Sequence, residues 1–199
     1  MTLLQQLQRA IEFFNGVRLG VDAGSYLIDN EKSAKLPIAV ENYALLLSES
    51  GDGVLELGIR LDDAAVEQAG FFLIGRERNA ATLESFLGVV EELSHFVLAA
   101  WKAKCDMQFS CLELETQGMI DKYFITAAVL HRTNSLHKID FVLKRALFAD
   151  EFEKERDRDA ARFGYKYIEA MRQGKIKLSA HQRLYRSPVG KKMSFYCTL

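Results

Sequence analysis

The sequence predicts an α+β fold: an N-terminal helix and a small antiparallel β-sheet of about three to four strands, packed against a C-terminal helical bundle. A change of period carries this reading. Apolar residues recur every third or fourth position up to Phe14, alternate in stretches between Val17 and Leu61, and return to the helical period from Asp62 almost to the end. Turn chemistry at Ser50-Gly51-Asp52-Gly53 and capping patterns before the later apolar runs support it.

Leu3, Leu4, Leu7, Ile11 and Phe14 fall on one side of a helix over 2–15, and Asn15-Gly16 tolerates the left-handed conformation that ends it. The sheet region spans 17–61. Val17, Leu19 and Val21 alternate with Arg18, Gly20 and Asp22, and Leu55, Leu57, Ile59 and Leu61 alternate with Glu56, Gly58 and Arg60, which describes strands with one wet face. Tyr43-Ala44-Leu45-Leu46-Leu47 reads as a more buried strand, folded back by the glycine turn onto Val54–Leu61. The charged stretch Asp29 to Pro37 is an exposed connection.

The helical region spans 63–174. Asp62 or Asp63 caps a first helix through Arg76, and the next presents Leu83, Phe86, Leu87, Val90, Val97 and Trp101 on one side. Ser110-Cys111-Leu112-Glu113 has capping-box form and opens a third. On it, Phe109, Ile120, Phe124 and Ala127 form one apolar column and Cys111, Leu114, Ile125 and Val129 another nearly opposite, so this helix is expected at the centre. Leu136, Ile139, Leu143, Ala146 and Leu147 define a fourth, and Ala160, Ala161, Gly164, Ile168 and Met171 a fifth that Gly174 stops. Residues 1–174 thus form a single α+β domain followed by a basic C-terminal segment, 175–199. In that segment Ser179-Ala180-His181-Gln182 is a second capping box, opening a short turn that Pro188 ends.

Charge is distributed unevenly. The chain holds 26 basic and 27 acidic side chains, yet no carboxylate follows Glu169, while Arg172, Lys175, Lys177, Arg183, Arg186, Lys191 and Lys192 do. An acidic body is therefore joined to a cationic end, and an acidic partner surface, or the chain's own body, is the complement of that end. Tyr185, Phe195 and Tyr196 among the bases would also suit nucleic acid, but the acidic body and a pI near 6.4 argue against a polyanion partner. The longest apolar run, Phe96 to Trp101, is far short of a bilayer span, Ile176, Leu178, Leu184 and Val189 form no membrane-binding stripe, and Met1-Thr2-Leu3-Leu4-Gln5-Gln6 lacks the charged head of a signal peptide. Cys105, Cys111 and Cys197 are odd in number and form no metal-binding pair, which fits reduced thiols in a cytoplasm.

Candidate sites are incomplete. Glu92-Leu93-Ser94-His95 has the spacing of a carboxylate-bridged metal site, but no second copy exists, and helical stepping from Val90 turns Glu92 and His95 away from the core, with Glu84 and Glu91, as a solvated acidic face. Glu113 projects toward an apolar column, where the capping box supplies its partner in preference to a catalytic or metal-ligating role. His131 and His137 flank a helix-to-helix turn, and Asp140 lies one turn beyond His137, making these three the better catalytic candidates. Asp150 to Asp159, mixed in sign and net acidic, is a solvated helix face and a candidate internal dock for the cationic end. No nucleophile elbow, zinc-protease motif, phosphate loop or dinucleotide turn is present, and no cofactor is expected. The resulting expectation is a non-enzymatic cytosolic binding or regulatory protein, acting through its acidic helical face and cationic end and open to homodimerisation. The alternatives are a small metal-dependent enzyme built on Glu92, His95, Glu113, His131 and His137, and a nucleic-acid-binding protein.

Overall fold

A computed structural model describes residues 1–28, 43–49, 55–131, 143, 147–148 and 155–198, with the backbone alone over 43–49 and at 55. Helix α1 (Leu3–Asn15) is capped by Thr2, which exchanges hydrogen bonds with Gln5, and it ends at Gly16 with φ 67°. Its Leu4, Leu7 and Ile11 are buried. Strands β1 (Tyr43–Glu49) and β2 (Leu55–Leu61) pair antiparallel, with Tyr43 opposite Leu61 and Glu49 opposite Leu55. Asp62 caps α2 (Asp63–Ile74), and α3 (Ala80–Lys104), α4 (Cys111–His131) and α5 (Glu155–Arg172) follow. The C-terminal segment folds as α6 (Leu178–Tyr185) and α7 (Val189–Thr198).

This architecture corrects the α+β expectation. The chain is mostly helical, with seven α-helices among the described residues, and β1 and β2 form a single hairpin there, not a sheet of three or four strands. No strand forms over Val17–Val21, although one is expected there. Val17 and Leu19 are buried while Arg18 and Gly20 are exposed, so the alternation of an extended segment is present. Its backbone is instead bound by side chains: Lys104 Nζ donates to the carbonyls of Arg18 and Leu19 at 3.3 and 2.9 Å, and Gln8 Nε2 to that of Val21 at 2.7 Å. Two-residue periodicity reports extended backbone and burial, not a ladder.

Helix α3, rather than α4 alone, occupies the centre: it packs against α1, α2, α4 and both strands. Phe86, Val89, Val90, Leu93, Phe96, Val97 and Leu98 bury side chains all round it, and α4 lies between α3 and α5. Helix α6 covers the end of α1, and α7 reaches α5 and α6. The helix expected over Leu136 to Leu147 falls largely outside the described residues, although Leu143 and Leu147 are buried. Asp29 to Pro37 lies outside them as well. Ser179 caps nothing: α6 starts after Lys177 without a side-chain cap bond, which corrects the second capping box. No helix among the described residues is long and apolar enough to cross a membrane.

Candidate functional site

The central position of α3 overturns the expectation that Glu92 and His95 face solvent. Both are buried, because α4 covers the flank of α3 that helical stepping had assigned to water. On that flank His95 Nδ1 lies 3.6 Å from Glu92 Oε2, and His95 Nε2 lies 3.7 Å from Oε2 of Glu115 on α4. Glu91, one turn before His95, accepts a 2.7 Å bond from Lys122 Nζ of α4, and Arg156 of α5 stands 3.5 Å from Glu115. One ligand atom from each of Glu91, His95 and Glu115 can be chosen so that all lie within 4.8 Å of one another. Gly118 admits this arrangement, since a Cβ there would stand 2.9 Å from His95 Nε2.

Electrostatics within this cluster are divided. Burial opposes charge on His95, but Glu92, Glu91 and Glu115 outweigh it and raise the imidazole's pKa. Burial above all raises that of Glu115, with Glu91 and Asp157 adding to the effect against His95 and Arg156. For Glu91 burial acts upward, yet the Lys122 ammonium and His95 hold the carboxyl below its ordinary range.

A second cluster fills the junction of α1, α3, α4, α5 and α6. Asp121, fully buried, accepts bonds from Asn15 Nδ2 at 3.1 Å, Ser94 Oγ at 2.6 Å and Gln117 Nε2 at 3.0 Å. Because Asn15 Nδ2 also donates to the Ile11 carbonyl, its Oδ1 is the acceptor that meets His181 Nε2 at 2.8 Å. His181 therefore carries its proton on Nε2, and Nδ1 accepts from the Tyr167 hydroxyl at 2.9 Å. Burial pushes Asp121 up to about 6, against its three hydrogen-bond donors, while burial and the Lys192 charge push His181 down to about 3. Tyr167 is raised, by burial and by Asp121.

Glu113 is corrected too. Its backbone N–H does bond Ser110 Oγ at 3.1 Å, but its carboxylate is paired with cations: Oε1 lies 3.1 Å from Lys102 Nζ and 3.3 Å from Lys192 Nζ, all three side chains being buried. Burial, against Glu113 and with Lys102, lowers Lys192 to about 8, and its ammonium sits 4.7 Å from the Tyr185 ring centre.

Lys192 thus joins the cationic end to the chain's own body at Glu113, whereas of the stretch Asp150 to Asp159 only the part from Glu155 is described. From Glu155 onward that stretch instead makes the surface pairs Arg156–Asp157 and Arg162–Asp159. Tyr185 also turns inward. Lys175, Lys177, Arg183, Arg186 and Lys191 are exposed and meet no carboxylate among the described residues, whereas Arg172 pairs with Glu169 at 2.8 Å. His131 is exposed in the last turn of α4, while His137 and Asp140 lie outside the described residues. The three cysteines are exposed and unbridged.

Sequence reading assigned Glu91 to a solvated face, Asn15 to a helix stop and His181 to a capping box, and it passed over Glu115, Asp121 and Tyr167. Glu91 carried a signal, lying four residues before His95 and so on the same helical face. Asp121 carried a weaker one, a charge on a helix already read as apolar on two sides. What the fold and these clusters define is a mostly helical protein with ionisable groups enclosed between its helices and bases displayed at its C-terminal end. No family model, no curated protein and no solved structure matches the chain.

Proposed function

We propose that this chain is a non-enzymatic cytosolic binding or regulatory protein whose C-terminal helices engage an acidic protein surface, the acidic body of a second copy included. The observation that carries the reading is the division of α6 and α7. Lys192, Tyr185, Tyr196 and His181 anchor these helices inward, while Lys175, Lys177, Arg183, Arg186 and Lys191 remain exposed without a carboxylate among the described residues. Arg183 on α6 and Lys191 on α7, with Arg186 at the end of α6 and Lys175 and Lys177 just before it, are thereby held as a fixed cationic surface, and ordering that surface on binding costs less than ordering a free tail. Acid in excess elsewhere in the chain opposes any polyanion, and it opposes nucleic acid, with a phosphate charge on every nucleotide, more strongly than the sparser carboxylates of a protein surface.

A fluorescent polyglutamate peptide and a single-stranded oligonucleotide, titrated at several salt concentrations, test this. The Arg183→Glu, Arg186→Glu, Lys191→Glu chain should bind the peptide at least about tenfold more weakly while keeping its helical circular dichroism. Peptide binding unchanged by the reversal would overturn the proposal. Tighter binding of the oligonucleotide, with a steep salt dependence, would replace it with nucleic-acid recognition.

A further inference from the structure

We propose that Glu91, His95 and Glu115 form a binding site for a first-row divalent transition-metal ion, with Glu92 orienting the imidazole. His95 lacks the close ionic partners that a merely charge-balancing role would give it. A charged imidazole placed only to balance carboxylates closes to within roughly 2.7–2.9 Å of them, because charge-assisted hydrogen bonds are short. Here the nearest carboxylate oxygens stand at 3.6 Å from Nδ1 and 3.7 Å from Nε2. His95 Nε2 and Glu92 Oε2 are buried and have no hydrogen-bond partner among the described residues.

The longer separation has a coordination meaning. Two ligand atoms each about 2.1 Å from one ion in tetrahedral geometry lie roughly 3.4 Å apart, close to the His95–Glu115 spacing. Glu91 and His95 are four residues apart on α3, so both side chains point at the same part of α4, where Glu115 enters from the opposite helix. Gly118 presents hydrogen in place of a methyl group toward His95 Nε2, the nitrogen that faces Glu115. The other nitrogen faces Glu92, the placement of a carboxylate that fixes the ring of a metal-bound histidine. Lys122 holds one oxygen of Glu91 and leaves the second for the ion.

One imidazole and two carboxylates suit zinc, manganese or iron(II) more than calcium or magnesium, which take oxygen ligands alone. Three protein ligands leave at least one position to water, unlike a closed structural site. The ion would tie α3 to α4 in the interior, away from the cationic surface of α6 and α7.

Cobalt(II) is the direct probe, because its visible bands report coordination and a thiolate ligand adds a charge-transfer band in the near ultraviolet. The full chain, stripped with chelator, should take up about one equivalent of cobalt(II) without the thiolate band. The triple variant Cys105→Ser, Cys111→Ser, Cys197→Ser should bind equally well, and zinc should displace the cobalt. His95→Ala should abolish binding. Glu92→Gln, which keeps all three ligands, should weaken it about 10–100-fold. Gly118→Ala should also weaken it, by pressing on Nε2. Circular dichroism separates lost binding from lost folding, and Glu92→Gln serves if His95→Ala does not fold. No uptake by the folded parent, uptake that survives His95→Ala, or uptake lost in the serine variant would overturn the site.

Discussion

His181 donates its Nε2–H to the side-chain oxygen of Asn15, 2.8 Å away, and so fastens the C-terminal helices to the last residue of α1. The bond is one link in a chain with a single sense: Tyr167 donates to His181, His181 to Asn15, and Asn15 to Asp121. Every donor along it has an acceptor, which offsets the cost of enclosing polar groups, and helices distant in sequence are locked in register.

Two members of this relay, His181 and Asp121, titrate in opposition. His181 is held neutral, down to about 3 from 6.5, so the native state binds fewer protons than the unfolded chain between those values, and stability is lost as pH falls through them. Asp121 is raised from 3.8 to about 6, so the native state binds more protons in that window and stability is gained as pH falls. Asp121→Asn removes the opposing gain. Between about pH 7 and about pH 4 the variant should lose roughly 2 kcal/mol more stability than the parent. Urea unfolding across that range measures it, and parallel profiles would mean that Asp121 does not titrate as its surroundings imply.

Glu113 between Lys102 and Lys192 gives an asymmetry among deletions. Glu113→Gln leaves two buried ammonium groups facing each other without an anion and should cost roughly 3–5 kcal/mol. Lys192→Met leaves the Glu113–Lys102 pair, at 3.1 Å, intact and removes a charge that burial already disfavours. Its cost should be about 1 kcal/mol or less. Equal losses in chemical denaturation would show that Glu113 does not depend on both lysines.

How far the sequence could be read follows from the same residues. Helix α1, the pairing of Tyr43–Glu49 with Leu55–Leu61 and the helix capped by Asp62 were legible because each is specified locally, by period or cap. The missing strand at Val17 was not, because side chains of Gln8 and Lys104 satisfy that backbone from elsewhere in the chain. Glu92, His95 and Glu113 were singled out as chemistry, but their surroundings were misread. Helical stepping placed Glu92 and His95 in solvent and the cap pattern satisfied Glu113 locally, whereas Glu115, Lys102 and Lys192 on neighbouring helices are their charged partners. His181 stood only as part of a capping box, since nothing near it in sequence points to Asn15 or Tyr167.

Gly16 tests the contact between α1 and α6 from the other side. Its φ of 67° is strained for any residue with a Cβ, and that Cβ would lie 2.8 Å from side-chain carbons of Gln182. Gln182 also donates to the carbonyls of Phe13 at 3.1 Å and Phe14 at 3.4 Å, the first of which takes the Gly16 N–H as well. Gly16→Ala should therefore cost about 2 kcal/mol or more, from backbone strain and overlap together. Gln182→Ala alone should cost about 1 kcal/mol through the lost bonds. Combined, they should cost somewhat less than the two losses added, because the shortened side chain removes two of the three close carbons, Cγ and Cδ, while its Cβ stays 2.9 Å from the new methyl group beside the strained backbone. A strictly additive double variant in urea unfolding would mean that the alanine methyl never meets Gln182, and that α6 moves aside instead of holding the end of α1.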